Sequence, residues 1–457
     1  MPVSQVQNQR LADTLRRLLR RKAGNNIRKI MTRTHPADLA NALVLFPIED
    51  RIQLLTHAGS DDRQAQIVAA LPATEGAKLL AEMELQRAVA IACEMYGDDL
   101  ADVLGELDEE AAARIMAAMP PKESDDIQDL MRYGEYTAGG IMSPDVLAIS
   151  ATLSCAEAIR VVQNSPDVEM PFYLYVVSEH NKLAGVLSLR QLVTSRPDTQ
   201  VKDLMNTHVV SVHTETDQEE VARIVSRYDF LAVPVVDATN TLVGVVTVDD
   251  VIDVIREEAT EDILKMAGAG DDVEDTISLR SSFITRAPWL FAALGGGLVA
   301  SFVISHFEDL LSKYLLLAAF IPVINGMAGN VGTQSLAIVV RGLATRRNTL
   351  SLFWKTVSRE LVVGLLLGIL YGIILGGVGW LRFVKQGHFV MEVAPIALAL
   401  GVAMAMAMMV AATIAAALPL FFAKVGVDPA VATGPFVTTS IDIVGVLIYF
   451  NAVALFL

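Results

Sequence analysis

The last third of the chain carries long apolar segments separated by short charged turns. There are five of them, at about 287–305, 314–340, 361–381, 393–423 and 429–457. Each reaches roughly the 20 residues that a helix needs to cross a bilayer. Inside a bilayer the protein must satisfy its own backbone polar groups, which favours helices over irregular chain. The pattern predicts a membrane domain with five helices over residues 286–457.

Charge is distributed unevenly between this membrane part and the rest of the chain. Residues 281–457 contain six acidic and ten basic residues, whereas residues 1–280 contain 46 acidic and 26 basic residues. The acidic composition of the first part argues against nucleic acid as a partner, because proteins that bind nucleic acid present basic surfaces. It favours cations. Membrane lipid is the partner expected for the apolar segments.

Basic residues near the ends of the apolar segments indicate their orientation. If the N-terminus is inside, eight Lys and Arg residues lie at the inner ends and three lie in the outer loops. Such an excess is typical of the cytoplasmic side. The polar N-terminus shows no apolar stretch of the signal-peptide type. We therefore expect a multi-pass protein of the cell (inner) membrane, with a cytoplasmic N-terminus and the C-terminus outside.

The first 135 residues have the pattern of an all-helical domain. Apolar residues recur at spacings of three and four, which is typical of amphipathic helices. The segment HPADLANAL (35–43) resembles YGDDLADVL (96–104), as a stack of short helix pairs would produce. Chance similarity between two amphipathic helices is the alternative. We expect a helical, cytosolic N domain over residues 1–135.

The next region alternates strand-like and helical runs, and it contains a clearer repeat. MSPDVLAIS (142–150) corresponds to MNTHVVSVH (205–213), and LAGVLSLRQLV corresponds to LVGVVTVDDVI further along. A βαβ-type unit used twice explains both matches. We expect the two copies over residues 137–200 and 201–256.

An acidic segment precedes the first membrane helix. Residues 249–275 contain eleven Asp and Glu residues against two basic residues. Like charges three or four residues apart destabilise a helix, so a cation is expected to neutralise them. A solvated acidic linker is the alternative; metal ligands become the better interpretation if the adjacent membrane helices carry cations. We expect an acidic connecting helix over residues 257–285.

The last apolar segment, GPFVTTSIDIVGVLIYF (434–450), contains one carboxylate, Asp442. A charge at bilayer depth costs at least about 2.5–3.5 kcal/mol on insertion scales, so it should face a cavity or a partner. Helical spacing places Thr438, Thr439 and Gly445 on the same face. Mg²⁺ suits such a site, because it keeps several waters and binds one or two carboxylates. The alternative is an acid hydrogen-bonded to a neighbouring helix.

A second membrane segment, IPVINGMAGNVGTQS (321–335), combines glycines with polar side chains. Three glycines recur at intervals of three, and Asn325, Asn330 and Gln334 would be costly against lipid. Ordinary packing of small residues between helices is the alternative. The polar side chains favour a cavity lining.

Motifs along nearly the whole chain resemble one known family. MSPDV, followed about 40 residues later by Gly-Val-Leu-Ser, resembles a CBS domain, and the second copy makes a tandem pair. EEATEDI (257–263), NGMAGNVGTQS (325–335), GVDPA (426–430) and TTSIDIVGVLIYF (438–450) resemble motifs of the MgtE family of magnesium channels. The resemblance implies a multi-domain membrane protein. Its parts would be an all-α superhelical N-terminal domain, tandem α/β CBS domains, a connecting plug helix and a five-helix transmembrane domain.

The resemblance also implies a function and a set of pore residues. The protein would be a homodimeric magnesium-selective channel for Mg²⁺ uptake, with the selectivity carboxylate at Asp442. The pore-lining positions would be Asn325, Gly329, Asn330, Thr333, Gly434 and Thr438. Family members often carry Asn where this chain has Thr333 and Gly434, so the coordination here should differ in detail.

Mg²⁺ would act as regulator as well as substrate. The resemblance implies that cytosolic Mg²⁺ bridges acids of the N domain, the CBS pair and the plug, and so favours a closed state over an open one. The matching acids in the plug and the membrane part are Glu258, Glu261, Asp262 and Asp428. Those in the N domain and the second CBS copy are Asp98, Asp102, Asp217, Glu219, Asp229, Asp250 and Asp253.

The CBS pair could also bind a nucleotide. GVVTVDDV (244–251) resembles the adenosine-binding signature of CBS domains, with Thr247 and Asp250 at the ribose-contacting positions, whereas the first copy has Gln191 in place of the acid. ATP would then bind at one site per chain at most.

Two other functions remain open. One is an ion-coupled secondary carrier of divalent cations. The other is a membrane-anchored CBS sensor that acts on a partner protein. An enzyme is not expected, because the sequence shows no nucleophile motif, phosphate loop or zinc pattern.

Overall fold

A computed structural model describes residues 3–165, 172–268, 279–345, 353–385, 390–428 and 434–457. The chain divides into two compact units, Met1–Ile255 and Arg256–Leu457. The first unit contains short helices and two small sheets. The second contains the long apolar helices.

The first unit starts with short amphipathic helices, which confirms the helical N-terminal region. The described residues form α1 (Val3–Arg20), α2 (Gly24–Arg33), α3 (Pro36–Leu43), α4 (Ile48–Leu55), α5 (Asp61–Ala69), α6 (Ala73–Glu82), α7 (Leu85–Ala92), α8 (Gly97–Gly105), α9 (Glu109–Ala118) and α10 (Pro121–Leu130).

Most of these helices pack against the second helix that follows them in the chain. α3 contacts α5, α5 contacts α7 and α7 contacts α9, while α4 contacts α6 and α6 contacts α8. Leucines at helical spacing, such as Leu39 and Leu43, are fully buried in these contacts. The stacking produces the superhelical arrangement that the sequence predicts. The two similar segments noted in the sequence form α3 and α8.

Two small sheets follow, and their equivalence confirms the tandem repeat. The first contains β1 (Ala148–Ser150), β2 (Tyr173–Val177) and β3 (Leu183–Ser188), and the second contains β4 (Val212–His213), β5 (Ala232–Val236) and β6 (Leu242–Thr247). In each sheet the first strand pairs parallel with the second, which pairs antiparallel with the third. Both antiparallel pairs carry a register shift at the same place, after Val176 and after Val235.

Among the described residues, four α-helices accompany the sheets. They are α11 (Cys155–Gln163), α12 (Leu189–Thr194), α13 (Val201–Leu204) and α14 (Gln218–Tyr228). The two copies contact each other directly, because the Asn181 side-chain amide donates to the Leu242 carbonyl oxygen at 3.1 Å. The strand–helix order and this contact confirm a tandem α/β pair.

The acidic helix α15 (Val248–Met266) differs in extent from the expected connecting helix at 257–285. It starts earlier, at Val248, where the Asp250 carboxylate accepts a hydrogen bond from the Thr247 backbone N–H at 3.3 Å, as the acid of a capping box does. It stops before Gly268, whose φ of 66° suits glycine and ends a helix. Residues 269–278 of the expected segment lie outside the described residues.

Within its described residues, the second unit contains five helices that are long and apolar enough to cross a membrane, which confirms the predicted number. They are α16 (Leu279–His306), α18 (Ile321–Thr345), α19 (Phe353–Lys385), α20 (Val390–Val425) and α21 (Gly434–Phe456). A short helix, α17 (Glu308–Lys313), and a 3₁₀ turn (Leu315–Phe320) connect the first two. Helix α20 packs against α18, α19 and α21.

Glycines bring α19 and α20 close together. A Cβ atom placed on Gly372 would lie 2.4 Å from the Gly401 carbonyl oxygen, and one on Gly368 would lie 2.6 Å from the Ala405 Cα. Small residues of this kind allow helices to pack closely in membranes, where the hydrophobic effect does not drive helix association.

Candidate functional site

Asp442 lies in the middle of α21. It follows the first residue of the helix, Gly434, by eight positions, which is about 12 Å along the axis. Its side chain is exposed in the single chain. Among the described residues, none of the ion pairs includes it. The carboxylate is therefore accessible for an ion or its hydration water.

Asn325 on α18 lies beside this position. Its side-chain Nδ2 donates to the Asp442 carbonyl oxygen at 3.4 Å. Its Oδ1 is buried and has no hydrogen-bond partner among the described residues. A Cβ atom on Gly445 would lie 2.9 Å from that Oδ1, so the glycine allows α18 to approach α21 here. The structure thus brings two of the sequence-predicted pore residues together.

The other pore candidates on α18 lie on its accessible side. Asn330 and Thr333 are exposed, and open space surrounds the position of a Cβ on Gly329. The Thr333 hydroxyl donates to the Gly329 carbonyl oxygen at 2.9 Å. On α21, the Thr438 hydroxyl donates to the Gly434 carbonyl oxygen at 3.1 Å. Both hydroxyl oxygens keep acceptor capacity after these donations.

Gly434 does not lie beside Asp442. It is buried against the last turn of α15, and a Cβ atom there would lie 2.4 Å from the Met266 carbonyl oxygen. A contact this short excludes any larger side chain unless α15 moves. The Gly434 carbonyl oxygen accepts the hydrogen bond from the Thr438 hydroxyl.

Lys265 on α15 is a functional candidate that the sequence reasoning missed. Its ammonium forms ion pairs with Glu261 and, at 2.9 Å, with Asp428. Burial lowers the pKa of Lys265, but the bonds to these two acids raise it more, so the pKa lies above its usual value. The spacing of four residues between Glu261 and Lys265 was the available sequence signal. The contact between Lys265 and Asp428 has no corresponding signal in the sequence.

The acidic side chains near Lys265 repel one another, which disfavours their charged forms. Burial raises the pKa of Asp262, and the charges of Asp428 and Glu258 raise it further. Within the described ranges, no three His, Cys, Asp or Glu side chains are grouped closely enough to hold a metal ion. A lysine ammonium therefore neutralises part of the charge that the sequence assigns to Mg²⁺.

A second acidic pair lies in the first unit. Asp98 on α8 is buried, and its charge acts on Asp250 at the start of α15. Burial raises the pKa of Asp250 to about 7, and Asp98 and Asp249 add to the rise, while the hydrogen bond from Thr247 opposes it. Thr247 is fully buried and donates its hydroxyl proton to Asp250. Asp250 therefore belongs both to the predicted nucleotide-contacting pair, Thr247 and Asp250, and to the acids predicted to bind Mg²⁺.

The remaining candidate acids are exposed. Asp102 lies one turn after Asp98, and Asp253 lies one turn after Asp250. The other three lie around α14, where they make local contacts. Asp217 caps the helix by accepting from the Glu219 N–H at 2.8 Å, Glu219 forms an ion pair with Arg223 at 3.9 Å, and Asp229 ends the helix with φ 54°.

Comparison with known families matches most of the chain. A family described as "Divalent cation transporter" matches residues 321–452, and the "MgtE intracellular N domain" matches residues 34–136. Two CBS domains match residues 138–198 and 201–257.

Several proteins of known type are similar over nearly the full length. "Magnesium transporter MgtE" of Thermus thermophilus is 35% identical, covering 98% of this chain and 99% of the relative. The protein of the same name from Bacillus subtilis is 34% identical, covering 96% of each chain. A solved structure, "the cytosolic domain of the Mg2+ channel MgtE in complex with ATP", is 37% identical, covers 53% of this chain and 99% of its own, and has a TM-score of 0.51. The two full-length relatives are named as magnesium transporters, and with its helical N-terminal region, CBS pair and five membrane helices this chain belongs to the MgtE family of magnesium transporters.

Proposed function

We propose that this multi-pass membrane protein is a magnesium-selective channel for Mg²⁺ uptake, with Asp442 as its pore carboxylate. The observation that carries the proposal is an accessible acid in mid-helix, with no basic partner among the described residues and with Asn325 beside it. Mg²⁺ loses its waters reluctantly and commonly binds one or two carboxylates. Two copies of Asp442 in a two-fold homodimer would supply such a site.

The neighbouring pore residues suit a hydrated ion. Asn330, Thr333 and Thr438 offer oxygen atoms that accept hydrogen bonds from the water around Mg²⁺, while Asn325 holds α18 to α21 beside Asp442. Gly329 leaves space beside them. Two closely spaced carboxylates repel each other, and a divalent ion relieves that repulsion better than a monovalent ion does.

We further propose that cytosolic Mg²⁺ closes the channel. The raised pKa values of Asp250 and Asp262 support this, because they mark carboxylates whose charged form lacks sufficient counter-charge. Bound Mg²⁺ would supply it and favour the compact closed state. The proposed ligands in the plug and membrane part are Glu258, Glu261, Asp262 and Asp428. Those in the N domain and CBS pair are Asp98, Asp102, Asp217, Glu219, Asp229, Asp250 and Asp253.

The proposed topology places the acid sensor in the cytosol. The N domain (1–135), the CBS copies (137–200 and 201–256) and the plug segment (257–285) would be cytosolic, and the C-terminus would lie outside an inner or plasma membrane. The excess of basic residues at the inner helix ends supports this orientation.

ATP binding at the second CBS copy is a separate proposal. It rests on the similar cytosolic domain whose solved structure is a complex with ATP, and on the hydrogen bond between buried Thr247 and Asp250. Asp250→Asn should weaken ATP binding at least tenfold, because a ribose hydroxyl loses its carboxylate acceptor. Isothermal titration with ATP measures this, and Asp249→Asn, on the exposed neighbour, is the matched control. Equal affinity in all three proteins would contradict the assignment.

The pore assignment is tested by electrical recording from membranes that contain the protein. Wild type should carry Mg²⁺ currents that millimolar internal Mg²⁺ blocks. Asp442→Asn keeps the size and removes the charge, so it should lower the Mg²⁺ current at least tenfold, as expected when a pore loses its charged ring. Glu308→Gln, in the exposed helix α17 outside the five spans, is the matched control and should conduct like wild type.

The outcomes separate the alternatives. Normal Mg²⁺ currents in Asp442→Asn would refute the pore role of this residue. Uptake that collapses with a proton or sodium gradient, without single-channel currents, would indicate an ion-coupled carrier. Absence of Mg²⁺ flux in the wild type would favour a CBS sensor that acts on a partner protein.

A further inference from the structure

The five membrane spans contain two acidic residues, and the proposed pore uses one of them. The first is Asp442, and the second is Glu360 on α19. Glu360 is only 4% exposed, which makes it the more deeply buried of the two. Ionisable residues inside membrane spans are rare and costly, and they are usually retained for a function. Neither the proposed pore nor the proposed regulation by Mg²⁺ assigns a role to Glu360.

The contacts of Glu360 are well defined. Its Oε2 accepts a hydrogen bond from the Ser335 hydroxyl at 2.8 Å, and Ser335 is only 3% exposed. One turn before Glu360 on α19 and one turn after Ser335 on α18, Val357 and Val339 belong to an apolar cluster with Leu420 of α20. None of the ion pairs among the described residues involves Glu360. Within that part of the chain, the Ser335 hydroxyl is its hydrogen-bonding partner.

Ser335 connects this acid to the helix that carries the pore candidates. It follows Thr333 by two positions, which is about 200° around a helix, so the two side chains lie on nearly opposite faces of α18. The exposure agrees, because Thr333 is exposed and Ser335 is buried. A bond at Ser335 therefore restrains the direction in which Thr333 faces.

Helix α18 is thus held by two polar contacts to two different helices. Asn325 bonds to α21 through the Asp442 carbonyl, and Ser335 bonds to α19 through the Glu360 carboxyl. The two contacts lie ten residues apart, which is roughly 15 Å along the axis. Apolar packing alone restrains rotation of a helix weakly, whereas a buried interhelical hydrogen bond has a defined direction.

We propose that Glu360 is a positioning residue that fixes the rotation of α18 through Ser335, and so sets how Asn325 and Thr333 face the ion pathway. The proposal rests on the proposed function in one respect, namely that α18 lines that pathway. Loss of the bond frees α18 to rotate, which changes both the accessibility of its polar face and the discrimination between ions.

The first measurement does not require conduction. Thr333→Cys is introduced into the full-length protein with Cys93 and Cys155 replaced by Ala, and its modification by a charged, membrane-impermeant thiol reagent is timed. Ser335→Ala and Glu360→Leu, which each remove the bond, should change the rate at least threefold. Glu360→Gln retains an acceptor and should stay within twofold of the parent. Ser358→Ala removes an exposed hydroxyl from α19 and is the matched control.

The second measurement is the permeability ratio of Mg²⁺ to Na⁺ for the same variants without the Thr333→Cys change. A role in stability alone would lower the melting temperature or the yield and leave this ratio unchanged. We expect the ratio to change at least threefold in Ser335→Ala and Glu360→Leu, and to be restored in Glu360→Gln.

Three results would overturn the proposal. One is parental labelling and parental selectivity in Ser335→Ala, since the restraint acts through that hydroxyl, and this variant decides the matter if Glu360→Leu does not fold. Another is an effect of Glu360→Leu that Glu360→Gln shares in full, since the acceptor is then irrelevant. The third is an equal effect of the Ser358→Ala control. If neither the wild type nor any variant conducts, the proposed channel function fails, whereas the labelling rates still decide the positioning role.

Discussion

At the scale of single residues, Lys265 changes the expected chemistry of the plug. From the sequence we expected the acids of this segment to bind Mg²⁺, but the Lys265 ammonium forms ion pairs with both Glu261 and Asp428. The lysine side chain is 15% exposed, so water screens these contacts only in part. Mg²⁺ that binds the same oxygens has to displace a tethered cation.

Lys265→Met should therefore make the proposed inhibition by cytosolic Mg²⁺ more sensitive. Removal of the competing ammonium should lower the half-inhibiting Mg²⁺ concentration about two- to fivefold, in line with up to about 1 kcal/mol for a partly exposed ion pair. Recording of currents against internal Mg²⁺ measures the midpoint. Lys265→Arg keeps the charge and should match wild type, and a midpoint that rises in Lys265→Met would contradict the competition.

At the scale of secondary-structure elements, the contact between α15 and α21 depends on one glycine. Gly434 starts α21, and the Met266 carbonyl at the end of α15 occupies the space that a side chain would need. From the sequence we expected that Gly434, in place of the Asn that family members often carry, would alter the coordination of the ion. In the structure, Gly434 instead allows α15 to pack closely against α21, the helix that carries Asp442.

Gly434→Ala should loosen this contact. Its Cβ would lie 2.4 Å from a backbone oxygen, which cannot rotate away, so α15 has to shift. Overpacking of this type costs about 1–3 kcal/mol, and each kcal/mol lowers the melting temperature by roughly 2–4 °C in larger domains. Thermal unfolding in detergent checks this. Gly377→Ala on α19, where a Cβ meets open space, should melt like wild type, and equal melting of Gly434→Ala would argue against a tight contact.

Element boundaries show where local sequence information stops being sufficient. The amphipathic periodicity and the tandem repeat were correctly predicted, because both depend on neighbours a few residues apart. The start of α15 at Val248 lies inside the stretch assigned to the second CBS copy. Its first turn contains the Thr247–Asp250 hydrogen bond, in a stretch that also resembles a nucleotide-binding signature.

At the scale of the whole molecule, the acidic charge of residues 1–280 makes stability depend on pH and on cations. Asp250 shows the sign most clearly. Its folded-state pKa of about 7 lies above the ordinary value of 3.8, so the folded state binds more protons between these limits than the unfolded state does. Stability therefore falls as the pH rises from about 4 to about 7.

The full-length protein without Mg²⁺ should accordingly melt several degrees lower at pH 8 than at pH 6, and millimolar Mg²⁺ should raise the melting temperature more at pH 8. Differential scanning fluorimetry in detergent tests both statements. Asp250→Asn removes the titrating group and should flatten the pH dependence, while Asp198→Asn, at an exposed acid outside the proposed ligand set, should not. A wild-type protein that is more stable at pH 8 would contradict the sign of the shift.

The sequence by itself determined the five membrane helices, the stacked short helices, the CBS pair and the single acid of the last helix. These features depend on periodicity, composition and short motifs, which act over a few residues of chain. Only the tertiary structure decided which distant groups meet. Lys265 contacts Asp428 across 163 positions, Ser335 bonds to Glu360 across 25, and Gly434 meets the Met266 carbonyl. The physical reason is that a hydrogen bond or ion pair depends on distance and direction in space, which no local pattern along the chain specifies.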